Sequence, residues 1–116
     1  MADCIFCKIA QGEIPANIVF ENEQVIVFHD IKPAAPVHVL IVPKKHISDA
    51  MALDQDADGP AIAWVLFQAA AEAARLLGVD KKGFRLINNC GKDGGQTIDH
   101  IHMHLIGGIT LGEGLI

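Results

Sequence analysis

The chain has 116 residues, 51% of them apolar and 20% charged, a length for one hydrophobic core and a composition that excludes a disordered tail. Fourteen Asp and Glu against nine Lys and Arg give a formal charge of −5 with neutral His, so the overall field opposes nucleic acid and anionic membranes, and any anionic ligand must be held by local groups. Three cysteines are an odd count and fit a reducing compartment; with no secretory leader pattern and no apolar tract of membrane-spanning length, the reading is a soluble, cytoplasmic protein.

Asp3 is placed to cap a short helix over about Cys4 to Ala10, which Gly12 can end. Val19, Phe20 and then Val25 to Phe28 flank a polar turn at residues 21–24 and read as a β-hairpin. After a loop at residues 33–36, Val37 to Val42 is apolar on both faces except at His38, the pattern of a central strand closed by Pro43. Pro60 sits near the first turn of a long helix that runs to about Leu77, with Gly78 as its stop. Gln68, Glu72 and Arg75 make the only polar stripe on that helix. Its apolar circumference is wider than one sheet face covers, so either an Ala-rich surface is exposed or its second side is buried against another copy of the chain. Phe84 to Asn88 reads as a strand, Asn89 to Gln96 as a Gly-rich loop, and Ile98 to Ile106 as a last strand. The order α, three strands, α, two strands predicts an antiparallel α+β sheet.

On a regular strand alternate residues share a face, so His100, His102 and His104 are expected on one side, with Ile101, Met103 and Leu105 on the other. Imidazoles are poor core fillers, and three in strict alternation point to chemistry instead of packing. They serve as nucleophiles, as acids near neutral pH or as metal ligands, but the outer pair would lie roughly 13 Å apart in a regular strand and could not share one ion. Just upstream, residues 89–97 supply three glycines and Thr97, a loop whose amides can approach an anion closely. Together these features suggest phosphoryl chemistry with histidine attacking in line. Cys4-x-x-Cys7 is half of a tetrahedral zinc site, or else a pair of small buried thiols. His29 and His38 read as structural residues on strands away from the triad, Cys90 as an unreactive thiol, and Lys44-Lys45 as a solvated strand end.

His100-Ile101-His102-Met103-His104-Leu105-Ile106 resembles the signature of the histidine triad family, His-φ-His-φ-His-φ-φ with φ apolar. The resemblance extends through residues 5–9, 13–15, 28–31, 43–47, 94–97 and 107–108 and is similar to the Hint-like branch, purine nucleoside phosphoramidate hydrolases that act as homodimers. It implies one domain over residues 1–116, a five-stranded antiparallel sheet with one long and one short helix, and a dimer that joins two sheets into one of ten strands. It implies His102 as nucleophile on the α-phosphorus of an adenosine or guanosine 5′-phosphoramidate, His104 as phosphate contact and leaving-group acid, and the His100 carbonyl as the group that orients the nucleophile. Asp30 matches the acceptor of the ribose hydroxyls, Phe6, Ile9, Phe28 and Ile31 match the lining of the base pocket, and Asn89, Gly95, Gln96 and Thr97 match positions around the phosphate. From the residues alone the four apolar positions read as core. The resemblance also implies that Cys4 and Cys7 hold a structural zinc with His46 and His100, pinning His100 beside the nucleophile.

Two departures bear on the substrate: residues 109–116 do not match the Trp-Pro-Pro tail of many members, which leaves leaving-group preference open, and Asp99 stands where a bulkier aromatic is common. A dinucleoside polyphosphate hydrolase of the same family, and a nucleotide- or zinc-binding interaction protein with negligible turnover, are the alternatives. The intact nucleophile beside a Gly-rich loop weighs against the second.

Overall fold

The structure is a computed structural model that describes residues 4–116. Its elements are α1 (Ile5–Ala10), β1 (Ile18–Glu21), β2 (Val25–His29), β3 (Val37–Pro43), α2 (Ala50–Gln55), α3 (Gly59–Leu76), β4 (Phe84–Ile87) and β5 (Met103–Gly107). The five strands form one antiparallel sheet in the order β1-β2-β3-β5-β4. The hairpin of β1 and β2 turns at Asn22, whose side-chain oxygen accepts from the N–H of Gln24 at 2.8 Å and of Val25 at 3.0 Å, a local alternative to the ladder that Asn favours.

Strand β3 is central, as its two-sided apolar run predicts, and alternation sorts its residues between two cores. Val39 and Ile41, with Val25, Val27, Met103 and Leu105, face α3, where Val65, Leu66, Ala69, Ala70, Ala73 and Ala74 are buried. The small alanines let the helix axis approach the sheet closely. Leu40 and Val42, with Ile26 and Phe28, face the other way, onto Phe6 and Ile9 of α1. This second, smaller layer carries the histidines. No helix among the described residues is long and apolar enough to cross a membrane.

Three expectations need correction or qualification. Asp3 lies outside the described residues, and the N-cap of α1 is Cys4, whose Sγ accepts from the N–H of Cys7 at 3.4 Å. A second short helix, α2, follows Asp49, whose side chain caps the Ala52 N–H at 2.9 Å; at six residues with no fully buried side chain it has too little apolar periodicity to stand out in sequence. The last strand begins at Met103, not Ile98. Residues 98–102 bend, with the His100 N–H donating to the Ile98 carbonyl at 2.8 Å and the Ile101 N–H to the Ile47 carbonyl at 2.7 Å. Those bonds stand in place of a ladder, the pairing of β5 with β4 ending at Ile87 opposite His104 and that with β3 at Ile41 opposite Met103.

Candidate active site

The bend before β5 aims two consecutive histidines of the triad differently from a regular strand, while alternation still holds all three off the α3 side. His102 is buried, and its Nδ1 lies 2.8 Å from the carbonyl oxygen of His100. A carbonyl only accepts, so Nδ1 carries the proton and the neutral ring keeps its lone pair on Nε2. The backbone of His102 is held in turn by Asn88, whose Nδ2–H donates to the His102 carbonyl at 3.0 Å. Phe6 packs edge-on against this imidazole with ring centroids 5.0 Å apart, and against Phe28 at 5.8 Å.

His104 stands beside it, with the two rings 5.2 Å apart. Burial, together with the neighbouring His102 and His38, pushes its pKa below the ordinary histidine value and favours the neutral ring. Its Nδ1 lies 2.9 Å from Nε2 of His38, which is itself 3.5 Å from a carboxylate oxygen of Asp30. The other Asp30 oxygen accepts from the Lys32 N–H at 2.7 Å. His38 is therefore a neighbour of the triad, contrary to the reading that set it apart on its own strand. β3 pairs directly with β5, and positions 38 and 104 fall on the same face.

His100 belongs to a different group. Its ring is fully buried, and its Nε2–H donates to the Pro43 carbonyl at 2.7 Å, leaving the Nδ1 lone pair directed at Cys4 Sγ, 3.2 Å away, and Cys7 Sγ, 3.5 Å away. His46 Nδ1 closes the cluster at 3.3 Å from Cys7 Sγ. All four donor atoms lie within 4.8 Å of one another. In a tetrahedron with two thiolates and two imidazoles, a sulfur–nitrogen edge is about 3.6 Å, so these separations fit a metal ion of that kind. The carbonyl on the far nitrogen is the usual orienting partner of a metal-binding histidine. Burial, and then the adjacent Cys4, raise the Cys7 pKa to about 11, so a metal must displace a thiol proton to enter.

The Gly-rich loop is tied together by its own side chains. Asn89 Nδ2–H donates to the Gly94 carbonyl at 2.7 Å, and Gln96 accepts from the Gly91 N–H at 2.9 Å while donating to the carbonyls of Ser48 and Ile98. Gly95 takes a φ of 81°, a conformation that glycine adopts without strain, and it lies exposed with Thr97.

Residues 11–111 match the model of the HIT domain. The chain belongs to the HIT family. It is 41% identical to protein HitA of Neisseria gonorrhoeae over 107 residues, covering 92% of this chain and 97% of that protein. The structure superposes on a HIT family hydrolase from Clostridium thermocellum with a TM-score of 0.94 and 44% identity, over 100% of this chain and 99% of the other. A histidine triad nucleotide-binding protein from Candida albicans shares 32% identity at a TM-score of 0.71, over 89% and 73% of the two chains.

Within this HIT fold the expected residues fall into three places. His100, Cys4, Cys7 and His46 form the metal-competent cluster. His102, His104, Asp30, Phe6 and Phe28 gather on the α1 side of the sheet. Asn89, Gly95, Gln96 and Thr97 lie on the loop tethered to Ile98 and Ser48. Ile9 is buried beside Phe6, whereas Ile31 is 94% exposed, so the core reading of Ile31 is wrong: it follows the end of β2, where no sheet face covers it. Sequence reasoning missed Asn88 and His38. Asn88 had no motif to mark it, and for His38 the signal was present as the single polar residue in the apolar run of β3.

Proposed function

We propose that this chain is a nucleotidyl hydrolase that cleaves the P–N bond of purine nucleoside 5′-phosphoramidates through a covalent intermediate on His102. The observation that carries the reading is the His102 tautomer: with Nδ1–H bound to the His100 carbonyl at 2.8 Å, the Nε2 lone pair is free for in-line attack on the α-phosphorus. The P–N bond breaks as the N–P bond to His102 forms, and the departing amine takes a proton from His104, which the negative charge of the bound phosphate holds as imidazolium for this step. Water then attacks the same phosphorus and passes a proton back to His104 as the N–P bond breaks, releasing the nucleoside monophosphate and returning the electron pair to Nε2 of His102.

Asp30 accepts the ribose hydroxyls, Phe6, Ile9, Phe28 and Ile31 border the base, and Asn89, Gly95, Gln96 and Thr97 border the phosphate. The likeness to a hydrolase from Clostridium thermocellum and to a nucleotide-binding protein from Candida albicans supports this reading. Zinc is the metal that the Cys4, Cys7, His46 and His100 donor set suits best. It would fix the ring of His100, and hence the carbonyl that orients His102, without entering the reaction.

The functional unit in this reading is a homodimer. Trp64, Phe67 and Leu76 of α3 are 65%, 56% and 56% exposed, an apolar face that water disfavours, and β4 is an edge strand.

The deciding experiment is release of AMP from an adenosine 5′-phosphoramidate, with a diadenosine polyphosphate as comparator. His102→Ala is expected to lower turnover by at least ~10³-fold. Undiminished turnover in that variant, or preference for the polyphosphate, would refute the assignment.

A further inference from the structure

The amide of Gln96 joins three segments of the chain. Its Oε1 accepts from the Gly91 N–H at 2.9 Å, and its Nε2 donates to the Ser48 carbonyl at 2.7 Å and to the Ile98 carbonyl at 2.9 Å. The orientation is forced, because a flipped amide would set an oxygen against two carbonyls and an NH2 against an N–H. Both amide hydrogens are then taken, and none is left for a phosphate. What Gln96 contributes lies in what it joins.

On one side it closes the Gly-rich loop. Its own N–H donates to the Gly91 carbonyl at 3.0 Å while its side chain takes the Gly91 N–H. On the other side, its two carbonyl partners belong to the segments that carry histidines of the metal-competent cluster. Ser48 lies two residues after His46 and Ile98 two residues before His100. The same two segments are pinned by the Ile101 N–H, which donates to the Ile47 carbonyl at 2.7 Å, and the rings of His46 and His100 stand 4.9 Å apart. Two imidazoles drawn onto one ion fix the separation of these segments. A single NH2 that serves both carbonyls must follow that separation to keep its geometry, and Gly91 follows the amide.

We propose that Gln96 is a positioning residue that couples the cluster of Cys4, Cys7, His46 and His100 to the phosphate loop, so that zinc and a nucleotide phosphate each raise the affinity of the chain for the other. This rests on the reading of the cluster as a zinc site and of the loop as the border of a nucleotide phosphate. The sign follows from order: with the two histidines held, the loop has already lost freedom that phosphate binding would otherwise cost. A second route from the cluster exists, since Phe6 lies between Cys4 and Cys7 on α1 and packs against Phe28 and His102. That route leads to the base pocket, and a ligand without a phosphate tells the two apart.

The zinc-loaded and the metal-free full chain are titrated with AMP and with adenosine by calorimetry, and zinc affinity is measured by chelator competition with and without saturating AMP. In the wild type zinc is expected to tighten AMP by about fivefold or more, and AMP to tighten zinc by the same factor, as linkage requires. Adenosine should change by less than about twofold. Gln96→Glu keeps the acceptor for Gly91 and loses both donors, and Gln96→Met loses all three side-chain bonds at similar length. In both, the factor for AMP should fall below about twofold, whatever the separate affinities become. A wild-type factor below about twofold overturns the proposal. So does an equal factor for adenosine, which assigns the coupling to α1 and Phe6, or an undiminished factor in either folded variant. Loss of the fold in both variants, or in the metal-free wild type by circular dichroism, also overturns it, because zinc or Gln96 then acts on the whole domain. Failure of the underlying reading looks different: AMP saturates neither form, or the chain takes up no zinc, and the coupling falls with it.

Discussion

The face of the sheet that carries the histidines is decided by the alternation of β5, and truncating two adjacent residues of that strand tests it. Leu105 has no exposed surface, lies between Val39 of β3 and Leu86 of β4, and packs in the cluster under α3. Leu105→Ala removes three carbons, about 2.4 kcal/mol of lost burial at about 0.8 kcal/mol each. An unrelaxed void of roughly 50 Å³ adds about 1 kcal/mol, for a total cost of about 3 to 4 kcal/mol. Ile106 is the next residue, points the other way, is only half-buried and lies opposite His38 and Arg85. Its truncation is expected to cost about 1 kcal/mol. Urea unfolding followed by far-ultraviolet circular dichroism, at one protein concentration so that association stays constant, gives both values. Equal costs, or a loss below about 1 kcal/mol for Leu105→Ala, would mean that β5 presents its other face to α3. His104 would then lie on the helix side, and the site described above would not exist.

Asn88→Ala removes the donor that holds the His102 carbonyl at 3.0 Å; because Asn88 is exposed, stability should fall by less than about 1 kcal/mol, while steady-state kinetics should show kcat reduced roughly tenfold to a hundredfold. Gly94→Ala would drive a methyl group into the Cys90 carbonyl oxygen and disturb the loop that Asn89 ties to Gly94; turnover should collapse with unfolding stability changed by no more than about 1 kcal/mol, and normal kinetics in this variant would remove the loop from the site. His104 has its pKa depressed from 6.5 by burial and by two imidazole neighbours, so the native state binds fewer protons there than the unfolded chain. Its stabilising contribution is complete above about pH 6.5 and is lost as the pH falls toward the native value. Urea midpoints of the metal-free protein at pH 7.5 and 5.5 should therefore drop more in the wild type than in His104→Gln, and equal drops would contradict the burial.

Some of this architecture is local and was legible along the chain. The hairpin at Asn22, the two-sided apolar run of β3, and the Pro-started, Gly-stopped α3 each follow from periodicity and turn chemistry within a few residues. The alternation of residues 100–105 and the pairing of Cys4 with Cys7 are of the same kind, and with them came the triad motif. What the chain by itself could not decide was where distant segments meet. His38 and His104 are 66 positions apart and lie 2.9 Å from each other only because β3 and β5 pair in one register. His46 joins Cys7 at 3.3 Å across 39 positions for the same reason: packing, not local preference, brings the loop after β3 over α1. The last strand beginning at Met103 rather than Ile98 is the clearest instance. Residues 98–102 have strand-like alternation, but the pairing of β5 stops at Met103 and His104, the amides of His100 and Ile101 bond to the carbonyls of Ile98 and Ile47, and one imidazole faces the metal-competent cluster while the next is left with a free nitrogen.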